Sequence, residues 1–558
     1  MAFQVSPGVQ VNEIDATNVV PAVSTSIGGF AGSFNWGPVE EVITVGSENE
    51  LAATFGSPDD NTAKYFLVAA SFLKYGNALK VVRVASGHDN ATSDGTGQLI
   101  KNEDDYDNAG ALSVGNWVAK YPGVLGNSLK VSMISADITN FSGWAYSSSF
   151  DAEPTTSQYA IDQGKASAKD ELHIAVVDED GAISGTPGTV LETFAFVSQG
   201  SDAKNSDGTS NFYKDVINTQ SQYIWWAGHD SSLSDAGETI AANTTFTTNT
   251  AAIEGSLSGG SDDNAPTVGE IATGYDLLED ADTVDVNLLF ATPDANGAET
   301  IAEDLISIVN ARKDCMAFVS PPIEDTVGSS TPATDVKAFA DGLTSTSYAS
   351  CDSTALYVYD KYNDVYRWIG AAGHHAGLCA NTDSVADAWF SPAGVNRGQL
   401  LGVTKLAFNP KKADRDTLYK ARVNPIVSLP GQGTLLFGDK TLLSRPSAFD
   451  RINVRRLFIA LEKAVSTAAK AQLFEFNDEF TRAQFRNLVE PFLRDVKGRR
   501  GLTDFLVVCD ETNNTSAVID GNRFVADIFI KPSRSINFIT LNFVATRSGV
   551  EFSEISGS

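Results

Sequence analysis

Between residues 449 and 552 the spacing of apolar positions changes period. After Asp450, a candidate N-cap, Val454, Leu457, Phe458, Leu461, Val465 and Ala468 recur every three or four residues. That spacing predicts a helix with one apolar face, with Arg451, Arg455, Glu462 and Lys463 largely off it. Beyond Asn477 and Asp478, the positions of Phe480, Leu488, Phe492 and Val496 predict a second amphipathic helix. Pro491 bends its last turns, and it ends in the basic residues Lys497, Arg499 and Arg500. Residues 505–509 are then continuously apolar, Phe524, Ala526, Ile528 and Ile530 alternate with their neighbours, and 536–544 is apolar on both faces. Three strands are expected, giving two helices on a small sheet. Residues 546–552 keep a strand-like alternation with no later segment to pair with, which suits pairing with a neighbouring molecule.

Upstream, strands are expected at 26–30 and 80–84, with a broad helical stripe over 61–75 that carries Tyr65, Phe66, Val68, Ala69, Phe72 and Leu73. This is half of an α/β domain. Its other half lies about two hundred residues later, as a strand at 284–291, a helix over Ala298–Arg312 and a strand at 316–320. That order implies a parallel pair with a crossover; 355–359 adds a further strand. The segment between, rich in Ser, Thr, Asp, Asn and Gly, carries short strands at 128–134, 171–177 and 193–197, and Trp225 and Trp226 for a core. It reads as an inserted β-rich domain closing in a low-complexity stretch, 231–264. At the front, Val9 and Val11 alternate with Gln10 and Asn12 in a strand that is unstable alone.

Several stretches carry a family resemblance. The block from 449, read with 431–442 (GQGTLLFGDKTL), resembles the C-terminal domain of contractile tail sheath proteins of bacteriophages and related injection machines. Residues 372–394 (AGHHAGLCANTDSVADAWFSPAG), 6–15 (SPGVQVNEID), 26–39 (SIGGFAGSFNWGPV) and 75–84 (YGNALKVVRV) resemble further segments of that family, in the style of large phage sheaths. The resemblance implies a mixed α+β and α/β multidomain chain. Its parts are an N-terminal linking arm (1–25), a discontinuous α/β sheath domain (26–85 and 275–394), an inserted β-rich outer domain (86–274), a C-terminal polymerisation domain facing the tail tube (395–546) and a C-terminal linking arm (547–558). Read from the residues alone, the terminal strands are either edge strands of their own subunit or links to another. The family implies links, carried by Val9, Gln10, Val11, Asn12, Glu13, Arg547, Val550 and Phe552. It also implies hexameric rings stacked around a tube, contraction that drives the tube through the host envelope for genome delivery, and tube, baseplate and terminator proteins as partners. Neither cofactor nor enzymatic activity is implied, and the expected location is the virion tail after assembly in the host cytoplasm. The alternative is a cell-surface adhesin or glycan binder that uses the Ser/Thr-rich insert.

Charge sharpens this picture. The chain of 558 residues has a net charge of -30, yet residues 395–558 hold 24 Lys+Arg against 17 Asp+Glu, leaving 16 against 53 in residues 1–394. The basic part suits an acidic surface, and the resemblance makes Arg494, Lys497, Arg499 and Arg500 candidates to face the tube; the alternative is an ordinary solvated helix face. Basic residues scattered on helices without aromatic interleaving argue against direct nucleic-acid binding. The start MAFQVSPGVQ lacks a basic and apolar leader, and no window reaches the ~20 apolar residues that cross a bilayer, so a soluble product without membrane insertion is expected.

Four separated cysteines, Cys315, Cys351, Cys379 and Cys509, read as buried thiols. Residues 433–441 (GTLLFGDKT) approach a phosphate loop, but Asp439 is one residue too many and puts a negative charge where phosphate would sit. His374 and His375, in a glycine-rich loop, have no third ligand in reach, and the pairs Asp104-Asp105 and Asp262-Asp263 lack calcium-loop spacing. No metal, cofactor or catalytic residue is assigned.

Overall fold

In the computed structural model, Gly28–Gly32 forms β1, Val42–Val45 β2, Ala63–Leu73 helix α1 and Leu79–Arg83 β3. After the insert come α2 (Val268–Asp276), β4 (Leu288–Phe290), α3 (Ala298–Arg312), β5 (Met316–Val319) and β6 (Ala349–Asp352). Next are β7 (Leu356–Asp360), β8 (Val365–Ile369), α4 (Ala372–Val385), β9 (Val403–Leu406), β10 (Val423–Asn424) and α5 (Ile452–Ala469). The structure describes residues 24–537 except 86, 111, 243–244, 263–264 and 294–296. They fall into two units, a larger one through Ala388 and over Pro392–Lys463, and a smaller one made of Trp389–Ser391 and the described residues from Ala464 onward.

The larger unit is built on a seven-stranded sheet in the order β10-β6-β5-β4-β1-β3-β2, parallel except for β2 against β3. Gly28 pairs with Leu288 on one side and Leu79 on the other, so strands distant in sequence become neighbours. Three glycines make this central strand thin. A Cβ at Gly29 would lie 2.6 Å from a Leu289 methyl, and one at Gly32 would lie 2.8 Å from the Tyr65 ring. Phe72 and Phe290 stack at 5.3 Å within the core. Burial on both faces explains the continuous apolar runs in these strands.

The sequence reading of 355–359 needs correction. That stretch is a strand as expected, β7, but it joins β8 and β9 in a separate three-stranded antiparallel sheet, and it is β6 that lies beside β5. Residues 372–385 are helical, so His374 and His375 are wholly buried on α4 and do not lie in a loop. Glycines let the helix approach α1, since a Cβ at Gly373 would lie 2.2 Å from the Val68 carbonyl oxygen. Asp450 belongs to a short 3-10 turn, Ala448–Asp450, capped by Ser447, and is not the N-cap of α5. Arg455 is buried, contrary to the helical pattern: it donates to Ser347 Oγ at 2.7 Å and sits 4.1 Å from both the Tyr348 and Phe449 rings.

The inserted segment has a core of its own. Thr189–Ser198, Glu171–Asp178, Leu129–Ser135 and Ile253–Ser256 form an antiparallel sheet in that spatial order, and Trp117–Ala119 pairs with Ile224–Trp226. Within the expected low-complexity stretch, Leu233, Ile240, Phe246 and Leu257 are buried, and Asp235 accepts from the Thr247 backbone at 3.1 Å. Short polar side chains here fold the backbone into turns. Arg83, at the end of β3, is wholly buried and donates to the carbonyls of Phe34 (2.9 Å), Gly37 (2.7 Å) and Pro122 (2.7 Å), tying the insert to the loop after β1. Burial brings its pKa down to about 9. Arg83→Met would leave three buried carbonyls without this donor and is expected to cost about 3 kcal/mol, read as a fall in the urea midpoint.

Burial holds His375 neutral, with its pKa lowered from 6.5 to about 3, and lowers His374 in the same direction. Between those values the unfolded chain takes up a proton that the folded chain refuses. Stability from neutral His375 is therefore full above pH 6.5 and is lost as pH falls. Asp352, raised by burial from 3.8 to about 7, acts oppositely: across that window the folded chain holds the proton and gains stability as pH falls. His375→Leu is expected to reduce the loss of stability on acidification between about pH 6 and 4 by about 1.4 kcal/mol per pH unit, measured by urea unfolding at each pH.

Candidate assembly interface

The smaller unit carries α6 (Glu479–Gly498), β11 (Leu502–Val508) and β12 (Asp527–Pro532). Asp478 caps α6 by accepting from the Thr481 backbone at 2.8 Å, which satisfies one of the helix's open N–H groups. Phe485, Leu488, Val489, Leu493 and Val496 form its buried stripe, and Phe485 meets Phe524 edge to face at 5.4 Å. Pro491 lies inside the helix. Asn514 pins the connection between the strands by exchanging bonds with the backbone of Val525 at 2.7 and 2.9 Å.

β11 and β12 pair antiparallel from Leu502 opposite Pro532 to Val508 opposite Asp527. Among the described residues neither strand has a second partner. A two-stranded ribbon is marginal in water, and its unpaired backbone groups accept a further strand. Leu506 and Phe529, opposite one another, are 58% and 57% exposed. The third expected strand lies largely outside the described residues, as do the linking-arm residues Val9, Gln10, Val11, Asn12, Glu13, Arg547, Val550 and Phe552.

All four basic candidates are exposed near the C-terminal end of α6, where cations complement the helix dipole. Lys497 meets Asp504 at 3.1 Å. Arg499 is 3.6 Å from Asp495 and 5.1 Å from the Trp389 ring, whose Nε1 donates to the Arg499 carbonyl. Arg494 and Arg500 have no ion pair among the described residues. Two of the four charges are thus partly neutralised and two face outward uncompensated.

At the other end of the helix the sequence reading is corrected. Phe480 does not belong to the apolar face; it is 76% exposed, beside exposed Leu473, Phe474 and Phe476. The buried stripe runs one residue out of step with it, through Phe485, Val489 and Leu493. The run Leu473, Phe474, Phe476 fits no helical period and was the available signal. Such a concentration of exposed apolar side chains marks an interaction surface.

The arrangement offers exposed apolar and basic surfaces. Among the described residues no group of three or more His, Cys, Asp or Glu could hold a metal ion, and no helix is long and apolar enough to cross a membrane. At 433–441 the Gly433–Leu436 strand leads into an irregular stretch, and Lys440 donates to the Tyr419 carbonyl at 2.6 Å, a structural role. Cys315, Cys351, Cys379 and Cys509 are all buried, and burial raises each thiol's pKa, that of Cys379 to about 12.

Comparison with known proteins agrees along the whole chain. Residues 25–84 match the tail sheath protein Gp18 domain III N-terminal region, 270–442 the phage tail sheath protein central domain, and 444–546 the phage tail sheath C-terminal domain. The tail sheath proteins of Vibrio phage KVP40 and Enterobacteria phage T4 are each 34% identical to this chain, over 99% of it and 99% of their own lengths. The fold is similar to that of the sheath tail protein of Listeria innocua (TM-score 0.54, 10% identity, 92% of this chain and 96% of that one). It is also similar to the anti-feeding prophage helical sheath in its contracted state (TM-score 0.53, 13% identity, 98% and 100%). The chain, a mixed α/β protein with several sheets, belongs to the phage tail sheath protein family.

Proposed function

We propose that this chain is the structural subunit of a contractile tail sheath, polymerising as stacked hexameric rings around a tail tube and contracting to drive the tube through the host envelope for genome delivery. The observation that carries the reading is the open two-stranded ribbon of the smaller unit, joined to full-length similarity with tail sheath proteins. In this reading residues 1–25 and 547–558 are arms that add strands to neighbouring copies, and β11 and β12 are the edges that receive them. Each added strand satisfies several backbone hydrogen bonds at once and stays attached while larger surfaces slide. The exposed residues Leu473, Phe474, Phe476 and Phe480 add an apolar surface for self-association.

Residues 26–85 with 275–394 form the sheath domain, 86–274 the outward-facing insert and 395–546 the polymerisation domain. Arg494, Lys497, Arg499 and Arg500 face the tube protein, and baseplate and terminator proteins bound the stack. Assembly takes place in the host cytoplasm and the finished subunit is part of the virion. Work is done by a change of subunit contacts, without a cofactor or a chemical step.

Deleting residues 1–15 is expected to leave a folded monomer by circular dichroism and sedimentation that forms no cylinders under negative stain; full-length cylinders from the truncated chain would reject the arm assignment. Reversing the basic end with Arg494→Glu, Lys497→Glu, Arg499→Glu and Arg500→Glu is expected to abolish co-assembly on tubes at low salt. Unchanged assembly with unchanged salt sensitivity would reject the tube-facing role.

A further inference from the structure

The antiparallel sheet of β7, β8 and β9 has two unlike faces. Leu356, Val358 and Ile369 point into the main core. Alternation places Tyr357, Tyr359, Tyr366 and Trp368 on the other face. The register sets Tyr357 opposite Trp368 and Tyr359 opposite Tyr366. The rings touch, with Tyr357 4.6 Å from Trp368, Tyr359 5.2 Å from Tyr366, and Tyr357 stacked on Tyr366 at 5.3 Å. Tyr359 and Tyr366 nonetheless stay 46% and 50% exposed. From β9, Lys405 sits opposite Tyr357, its ammonium 4.5 Å from that ring and 5.3 Å from Trp368.

Charge on this face is uneven. Asp364 accepts from the Tyr359 hydroxyl at 2.6 Å, while on the opposite side of the sheet buried Asp360 is held by Arg367 at 2.8 Å. Lys405 meets no carboxylate among the described residues. A cation held over two rings without a counter-ion is poised for a carboxylate brought from outside. Tyrosine and tryptophan supply large contact area at small entropic cost, and they dominate binding energy where proteins meet. The acidic surface that would complement Lys405 is abundant in this chain itself, whose residues 1–394 hold 16 Lys+Arg against 53 Asp+Glu. A stacked sugar would need open ring faces; here the Tyr357 and Tyr366 faces are turned on each other, 15° from parallel.

We propose that the Tyr357, Tyr359, Tyr366 and Trp368 face, with Lys405, docks an acidic surface of a second copy of this chain. The proposal rests on the sheath reading and adds a contact separate from the arms and the C-terminal ribbon.

The test uses the full-length chain carrying p-benzoylphenylalanine at position 366, irradiated at assembly concentration, with negative-stain images of the same sample. The expected result is a chain-to-chain adduct whose second peptide is rich in Asp and Glu. Lys405→Glu and the milder Lys405→Met, both with unchanged circular dichroism, are expected to raise the critical concentration for self-association at least tenfold and about threefold. Cylinders without chain-to-chain adducts at position 366 would overturn this inference and leave the sheath reading standing. If no cylinders form, the sheath reading falls, and the adducts still decide the docking: their presence supports it and their absence overturns it. An adduct to a peptide lacking acidic residues would also overturn it, as would retardation in gels containing host polysaccharide that is lost in Tyr366→Ala.

Discussion

The larger unit depends on how closely its layers can approach the middle of the sheet. β1 has almost no side chains where its neighbours are largest, so Tyr65 and Leu289 pack against its backbone, where a single methyl group at Gly29 or Gly32 would collide. The same device recurs at Gly373 on α4, whose backbone meets that of α1. Close packing of this kind transmits displacement poorly as bending and well as movement of a whole body.

The close packing of the larger unit contrasts with the exposed ribbon of the smaller one. Among its described residues the smaller unit buries a good helical stripe yet has a two-stranded ribbon and exposes Leu473, Phe474, Phe476 and Phe480. Its interior is sufficient to hold α6 on the ribbon and insufficient to cover the surface. The insert, by contrast, buries a core that Trp36 from the preceding segment helps to close, and Arg83 ties the Pro122 carbonyl of the insert to those of Phe34 and Gly37. Among the described residues the insert has a four-stranded sheet and the smaller unit a two-stranded one.

Much of this was legible in the residues. The helix Ala298–Arg312 was read to its ends, because its apolar spacing is regular and one-sided. The strands flanking it were placed on either side, where β4 and β5 pair in parallel. α4 escaped because it is covered all round and so has no polar face to reveal a period. β6 escaped because Ala349–Asp352 is four residues of small and polar type, while the more aromatic β7 is legible as a strand. Of the interface, the basic end of α6 was visible as a charge cluster. The aromatic loop before it was not, because Phe480 was assigned inward by type, and burial is decided by the helix phase. Arg455 erred in the other direction: two rings and a serine hydroxyl make a place for its charge that spacing does not show.

The sulfur atoms carry a last consequence. All four thiols lie inside the fold with raised pKa values, and Met133 and Met316 are buried with them. Oxidation needs thiolate or an accessible thioether, and the described surface offers neither. Keeping every described sulfur out of reach of peroxide removes one chemical route by which a folded chain loses its shape.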